Sequence, residues 1–289
     1  MPLLLPLLLL LATFLSFPSL AGPMPDPASP SPRPTVIFVH GMYMTPASWS
    51  HWRDWFQARG YDTRAPAWPG RHGEPAALRA SPDPALRSLD LPQVVDVYRR
   101  EVASLDQPPI LIGHSMGGLV VQLLLQEGLG AAGVAIDSAP PKGLSSTRWS
   151  FLRSNLPVLS PGKAPINPTL AQFRYAFAHT LPEDEVARIY AQYVVPESRQ
   201  VGRGPTTAAA RVDFTRARPP LLLIAGEEDH IIPASLVAAQ ADRYARGPSV
   251  TTLRSFPGRV HWIVGQEGWE EVAEAVAGWL AEQGLPGAD

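Results

Sequence analysis

From residue 35 onward the chain alternates short β-branched apolar runs with longer stretches whose apolar residues recur at three- and four-residue steps. A strand with no polar side must be covered on both faces, so the runs read as parallel strands layered between helices. Strands are expected at 35–39, 61–67, 110–113, 133–136, 221–225 and 251–256, and helices at 47–59, 93–105, 117–126, 234–244 and 269–280. In the first helix Trp49, Trp52 and Phe56 share one face, Trp55 lies on its flank and Gly60 stops it. Residues 69–92, rich in Pro, Gly and Arg, read as loop. The fold class is therefore α/β, a mostly parallel sheet of about six strands. The 289 residues, 45% of them hydrophobic, suit one large domain or two small ones.

The alternation breaks once, between about 141 and 218, where strands stop and helical pieces follow, including 170–178 and 182–193. So long an excursion exceeds an ordinary crossover and reads as a helical cap. Ligands of open α/β sheets bind at the carboxyl edge of the strands, so the cap is expected to roof the pocket there.

The first 34 residues stand apart from this pattern. An apolar run at 3–15, followed by Ser19-Leu20-Ala21, has the form of an export leader cut before Gly22, although no Lys or Arg precedes it. A retained membrane anchor at 3–21, weakened by Pro6 and Pro18, and a mis-assigned start are the other readings. The first reading places the domain in the periplasm or the medium, the second attaches it to a membrane. Residues 22–34, dense in proline, read as an extended linker, and the folded domain is expected to span 35–289.

With 26 acidic residues against 24 basic ones the formal charge is −2, which lacks the positive field of a nucleic-acid binder. Cysteine is absent, which removes disulfides, thiol nucleophiles and zinc-thiolate sites.

Gly113-His114-Ser115-Met116-Gly117-Gly118 lies directly after a buried strand and directly before a helix. A serine with glycine two places away on either side, at a strand-to-helix turn, is a nucleophile elbow. The turn is too tight for side chains at those places, and its strain projects the serine hydroxyl above the sheet. A phosphate-binding loop fits poorly, because the stretch has no lysine.

A serine hydroxyl needs a base, and the base needs a carboxylate to fix its tautomer. Of the seven histidines, His261 follows the last strand in a loop returning to the carboxyl edge. His114 belongs to the elbow and points away from Ser115, His40 shapes the first loop by hydrogen bonding, and His51, His72 and His179 lie outside the sheet ends. Asp229 follows the strand at 221–225 and is the expected acid, ahead of Glu227 and Glu228. Asp137, at the end of the strand after the elbow helix, is the alternative acid. Developing negative charge would meet the backbone amides of Met116 and of Met42, in the loop after the first strand. Tyr43, Met44 and Trp262 are expected to add apolar surface at the mouth.

In order along the chain, Val39-His40-Gly41-Met42, Gly113-His114-Ser115-Met116-Gly117, the stretch 226–233 and Val260-His261-Trp262 resemble the four recurrent blocks of the α/β-hydrolase superfamily. The resemblance covers about 35–280 and implies a serine enzyme with Ser115, Asp229 and His261 as triad, the Met42 and Met116 amides as oxyanion hole, and no metal or organic cofactor. It also implies a sheet lacking the two opening strands of longer members. The serine argues against the dehalogenases and epoxide hydrolases of this fold, which use aspartate. The expected function is hydrolysis of small apolar carboxylic esters through an acyl-enzyme. Amidase, thioesterase, carbon-carbon hydrolase and acyltransferase chemistry remain open on the same residues, as does a non-catalytic ligand-binding protein.

Overall fold

In the computed structural model, which describes residues 35–287, six parallel strands form one sheet in the order β2-β1-β3-β4-β5-β6. The strands are β1 (Val36–Val39), β2 (Thr63–Arg64), β3 (Ile110–His114), β4 (Ala132–Ile136), β5 (Leu221–Gly226) and β6 (Thr251–Phe256). The leader and linker expected at 1–34 lie outside the described residues. Among the described residues no helix is long and apolar enough to cross a membrane.

The helices form where the three- and four-residue apolar spacing predicts: α1 (Ser50–Gln57), α3 (Leu91–Ala103), α4 (Met116–Gln126), α9 (Ala234–Tyr244) and α10 (Trp269–Glu282). Strand side chains alternate between two cores, as the two-residue repeat of a strand demands. Val36 and Phe38 pack with Trp49 of the 3-10 turn at Pro46–Trp49, Trp52 and Phe56 of α1, and Val276 and Trp279 of α10. Ile37 and Val39 face the opposite way, onto Val94 and Tyr98 of α3, Leu119 of α4 and Val237 of α9.

Three segments differ from expectation. The strand foreseen at 61–67 shrinks to Thr63–Arg64, at the edge of the sheet beside a proline that offers no amide to a ladder. The loop foreseen at 69–92 contains α2 (Pro75–Ala80) and a 3-10 turn at Pro84–Arg87. It ends early at Asp90, whose carboxylate accepts the Gln93 amide in a reciprocal capping box that starts α3. The excursion between β4 and β5 holds α5 (Trp149–Leu159), α6 (Leu170–Phe177), α7 (Glu183–Tyr193) and α8 (Arg199–Arg203), of which α5 and α8 were not foreseen.

Behind the sheet edge, Gln122 on the apolar helix α4 donates from Nε2 to Ser138 Oγ at 2.7 Å and to Gln240 Oε1 at 2.9 Å. The Tyr244 hydroxyl donates to Gln122 Oε1 at 2.9 Å, and Gln240 Nε2 to the Ser138 carbonyl at 3.0 Å. The network is buried and joins α4 and α9 to the turn after β4. Replacing Gln122 with Leu removes a partner from Ser138, Gln240 and Tyr244 at once. The expected loss of stability is about 3 kcal/mol or more, read from the midpoint shift in chemical denaturation.

Candidate active site

Ser115 connects β3 to α4 with φ 56 and ψ −120, a conformation costly to a residue that carries a Cβ. It is held there from three directions. Its amide donates to the Ile136 carbonyl at 2.9 Å, and its carbonyl accepts the amides of Ala139 at 2.9 Å and Gly118 at 3.0 Å. The flanking glycines are required by close approach: a Cβ on Gly113 would overlap the Gly117 carbonyl, and one on Gly117 the carbonyl oxygens of Val39 and His40. The loop after β1 comes up to the same point, where a Cβ on Gly41 would stand 3.0 Å from that of Ser115. Met42 and Met116 therefore flank Ser115. The Met116 amide opens α4, where an N–H has no intrahelical acceptor.

Met42, Ser115 and Met116 line one cavity of about 140 Å³, closed from above by the cap. Phe151, Asn155, Val158 and Leu159 of α5, together with Gly202, Pro205 and Thr206, form that roof, and Ile231 and Ile232 form a wall. No charged side chain lines it. Met44 and Trp262, expected at the mouth, are instead buried in the core and absent from the cavity wall. Tyr43 likewise packs edge-on against Phe177 of α6, and the role foreseen for these three falls to the cap.

His261 follows β6 and is fully buried. Its Nδ1 lies 2.5 Å from Asp229 Oδ2, while Asp229 Oδ1 accepts the amides of Ile231 at 2.6 Å and Ile232 at 2.8 Å. Nδ1 is therefore the protonated nitrogen and Nε2 carries the lone pair. Nε2 has no hydrogen-bond partner among the described residues, and His261 is not among the residues that line the cavity on which Ser115 sits. His114 points away from the cavity and donates from Nε2 to the His261 carbonyl at 2.8 Å, tying the histidine loop to the elbow. The rings of His114 and His261 are 4.7 Å apart, and Phe177 meets His261 edge-on.

Asp137, the alternative acid, accepts the Gly226 amide at Oδ1, 2.7 Å away, and adjoins Asp229 with its other oxygen free of any conventional donor. Burial, and the adjoining Asp229 charge, push the Asp137 carboxyl well above its usual range. Burial raises Asp229 as well, opposed by the Ile232 and Ile231 amides and by the Asp137 donor. Of the two carboxyls, Asp229 thus has the donors that favour charge.

Three buried imidazoles surround the elbow. Burial lowers His261 to about 3 and His114 well below the ordinary value. Burial likewise lowers His40, which stacks on Trp68, to about 3; its Nδ1 donates to the Gly41 carbonyl at 2.9 Å. His114, Asp137 and His261 bring ligand atoms within 4.8 Å of one another, a spacing a metal ion accepts. Two of the imidazole nitrogens of this cluster, His114 Nε2 and His261 Nδ1, are already engaged in hydrogen bonds.

A buried ion pair holds the first loop. Arg71 Nη2 and Glu197 Oε1 are 2.5 Å apart and wholly enclosed, and Arg71 Nη1 also donates to the Pro196 carbonyl. Glu197 accepts the Ser198 amide at 2.5 Å and the Tyr43 amide at 3.4 Å, and the Val195 amide reaches the Tyr43 carbonyl at 2.9 Å. Tyr43, with φ 63, is thereby fixed at both backbone groups by the segment between α7 and α8. Sequence reasoning missed this pair, since nothing local in either residue's surroundings announces the other.

The sequence profile of the alpha/beta hydrolase family matches residues 36–275. None of the curated proteins compared matches the chain. Among solved structures, a monoacylglycerol lipase from Paleococcus ferrophilus is similar at 20% identity and TM-score 0.63, over 86% of this chain and 94% of that one. A pyrethroid hydrolase from Sphingobium faniae is similar at 19% identity and TM-score 0.61, over 86% and 97%. Tomato methylketone synthase I is similar at 14% identity and TM-score 0.65, over 87% and 99%. At these identities the likeness is one of fold.

Because His40 is lowered on folding, this imidazole binds one more proton in the unfolded chain than in the folded chain between pH 6.5 and about 3. Its contribution is intact above pH 6.5 and is lost as the pH falls. A His40→Gln variant is therefore expected to lose stability less steeply than the parent, by about 1.4 kcal/mol per pH unit between about pH 6 and 4. Denaturant titrations at a series of pH values measure the difference in slope.

Proposed function

The chain belongs to the alpha/beta hydrolase family, and from that premise we propose that it is a serine hydrolase cleaving small apolar carboxylic esters through an acyl-enzyme. The observation that carries this reading is the uncharged, largely apolar cavity whose floor is Ser115 between Met42 and Met116. A charged substrate would lose its hydration there without gaining a partner. An ester loses little.

In the proposed reaction, Ser115 Oγ attacks the ester carbonyl carbon as His261 Nε2 takes the hydroxyl proton. Substrate binding brings these two groups into a hydrogen bond that the free site does not make. The carbonyl oxygen becomes an oxyanion facing the Met42 and Met116 amides. Collapse breaks the bond to the alkoxy oxygen, which leaves as the alcohol with the proton from His261. Water then repeats the sequence on the acyl-enzyme, giving up a proton to His261 and releasing the carboxylic acid and Ser115. Asp229 stays ionised and stabilises the imidazolium, which burial alone would disfavour. Asp137 supports Asp229 as a neutral donor and takes no proton in the cycle.

Three measurements test the proposal. A fluorophosphonate is expected to label Ser115, located by peptide mass spectrometry; folded protein that stays unlabelled would instead indicate a binding protein. Asp229→Asn is expected to lower kcat by about 10³–10⁴-fold by reversing the imidazole tautomer. Asp137→Asn retains a donor toward Asp229 and most of the turnover, and the opposite ranking would make Asp137 the acid. Finally, a cavity of about 140 Å³ is near the size that holds one benzene ring. Butanoyl and hexanoyl p-nitrophenyl esters are thus expected to exceed the dodecanoyl ester in kcat/KM, with the matching anilides slower still.

A further inference from the structure

Helix α5 has apolar residues on both of its faces. Phe151, Asn155 and Val158 turn inward to roof the cavity above Ser115, and Leu159 borders both the cavity and the outer face. Trp149, Leu152, Leu156 and Leu159 follow at steps of three, four and three, and are 71%, 43%, 63% and 52% exposed. Leu170, at the start of α6, is 42% exposed, and a shallow groove between Leu156 and Pro157 on one side and Ala171 and Tyr175 on the other joins the two helices. Among the described residues, only Val250 and Leu253 are exposed large apolar side chains outside this patch. Scattered apolar residues are ordinary on a protein surface, but a contiguous stripe marks a site of interaction.

The charge around the stripe indicates its occupant. Residues 138–182 contain no Asp or Glu, yet carry Lys142, Arg148, Arg153, Lys163 and Arg174, in a chain whose formal charge is −2. Lys142 and Lys163 are the chain's only lysines. Arg174 pairs with Glu183 at 2.5 Å; the other four are exposed and have no acidic partner among the described residues. A helix with an outward stripe of Trp and Leu, rimmed by exposed basic residues, has the form of one that lies in the plane of a lipid headgroup layer. Anionic headgroups draw in the basic rim and the acyl boundary receives the stripe. α5 is also braced: Arg203 Nε donates to the Val158 carbonyl at 3.1 Å, and Arg199 Nη1 to the Pro157 carbonyl. The stripe is thus presented on a fixed element.

We propose that the outer face of α5, with Leu170 and the exposed basic rim, docks this protein on an anionic lipid surface, with the roof of the Ser115 cavity at the point of contact. This docking is separate from any attachment through the first 34 residues and requires no turnover at Ser115. Its success or failure is therefore distinguishable from that of the esterase reading.

The absence of cysteine permits a site-specific test in the full chain. Thr147→Cys, beside the stripe, and Glu274→Cys, on the distant helix α10, are labelled separately with a polarity-sensitive fluorophore. They are then mixed with vesicles of phosphatidylglycerol and phosphatidylcholine, or of phosphatidylcholine alone. Emission at 147 is expected to shift to the blue with anionic vesicles, to return as salt is raised, and to stay unchanged at 274. Cosedimentation is expected to show vesicle binding weakened about tenfold or more by Trp149→Ser with Leu156→Ser, and about fivefold for each of Arg148→Gln and Arg153→Gln. The proposal fails if the chain does not sediment with anionic vesicles, or if it sediments while the label at 147 reports water. It also fails if that label shifts with protein concentration alone, since the stripe would then be covered by a second copy of the chain.

Discussion

A single backbone position, Ser115 held at φ 56 between β3 and α4, sets the terms for everything around it. The strand and helix meet so closely there that Gly113 and Gly117 are pressed against carbonyl groups, which cannot move aside as a side-chain tip can. The strain persists because the neighbouring strand holds it twice: Ile136, at the end of β4, accepts the serine amide, and the turn beyond it returns the Ala139 amide to the serine carbonyl. Once that corner is made, its side chain faces the carboxyl edge of the sheet. The loops after β1, β5 and β6 end at the same edge.

Electrostatics around the corner is governed by exclusion of water. Three imidazoles are kept neutral by burial, and the two adjoining carboxyls divide the available donors unequally. Asp229 accepts two main-chain amides and faces His261, whereas Asp137 has only the Gly226 amide, and burial with the Asp229 charge beside it holds its carboxyl well above the usual range. A carboxylate at either position would be costly alone. Arranged in sequence, one carries charge and the other supports it.

The frame of this fold was legible because central parallel strands have no polar side: runs such as those beginning at Val36, Ile110 and Leu221 leave one architecture open. The meeting of Asp229 with His261 and the tight turn at Ser115 were legible too, since each of these residues follows a strand at the edge where loops converge. What escaped was settled by packing between distant segments. α5 is apolar on two faces and carries Pro157, so its periodicity gives no single buried stripe. Trp262 has the character of a pocket residue, yet Phe177 accepts its amide and draws it into the core. The roof residues are spread from Phe151 to Thr206, and only the folded cap brings them to one cavity.

The enclosed pair of Arg71 and Glu197 limits how freely the cap can be exchanged. Caps of this kind invite transplantation between scaffolds, since both ends of the excursion leave and rejoin the sheet at adjacent strands. Here a foreign cap lacking a carboxylate at the corresponding place would strand a guanidinium without counter-charge in a dry interior, beneath the same loop whose Tyr43 amide had lost its acceptor. An engineered chimera of this chain must therefore carry Arg71 and the 195–198 segment as one unit, or neutralise both together.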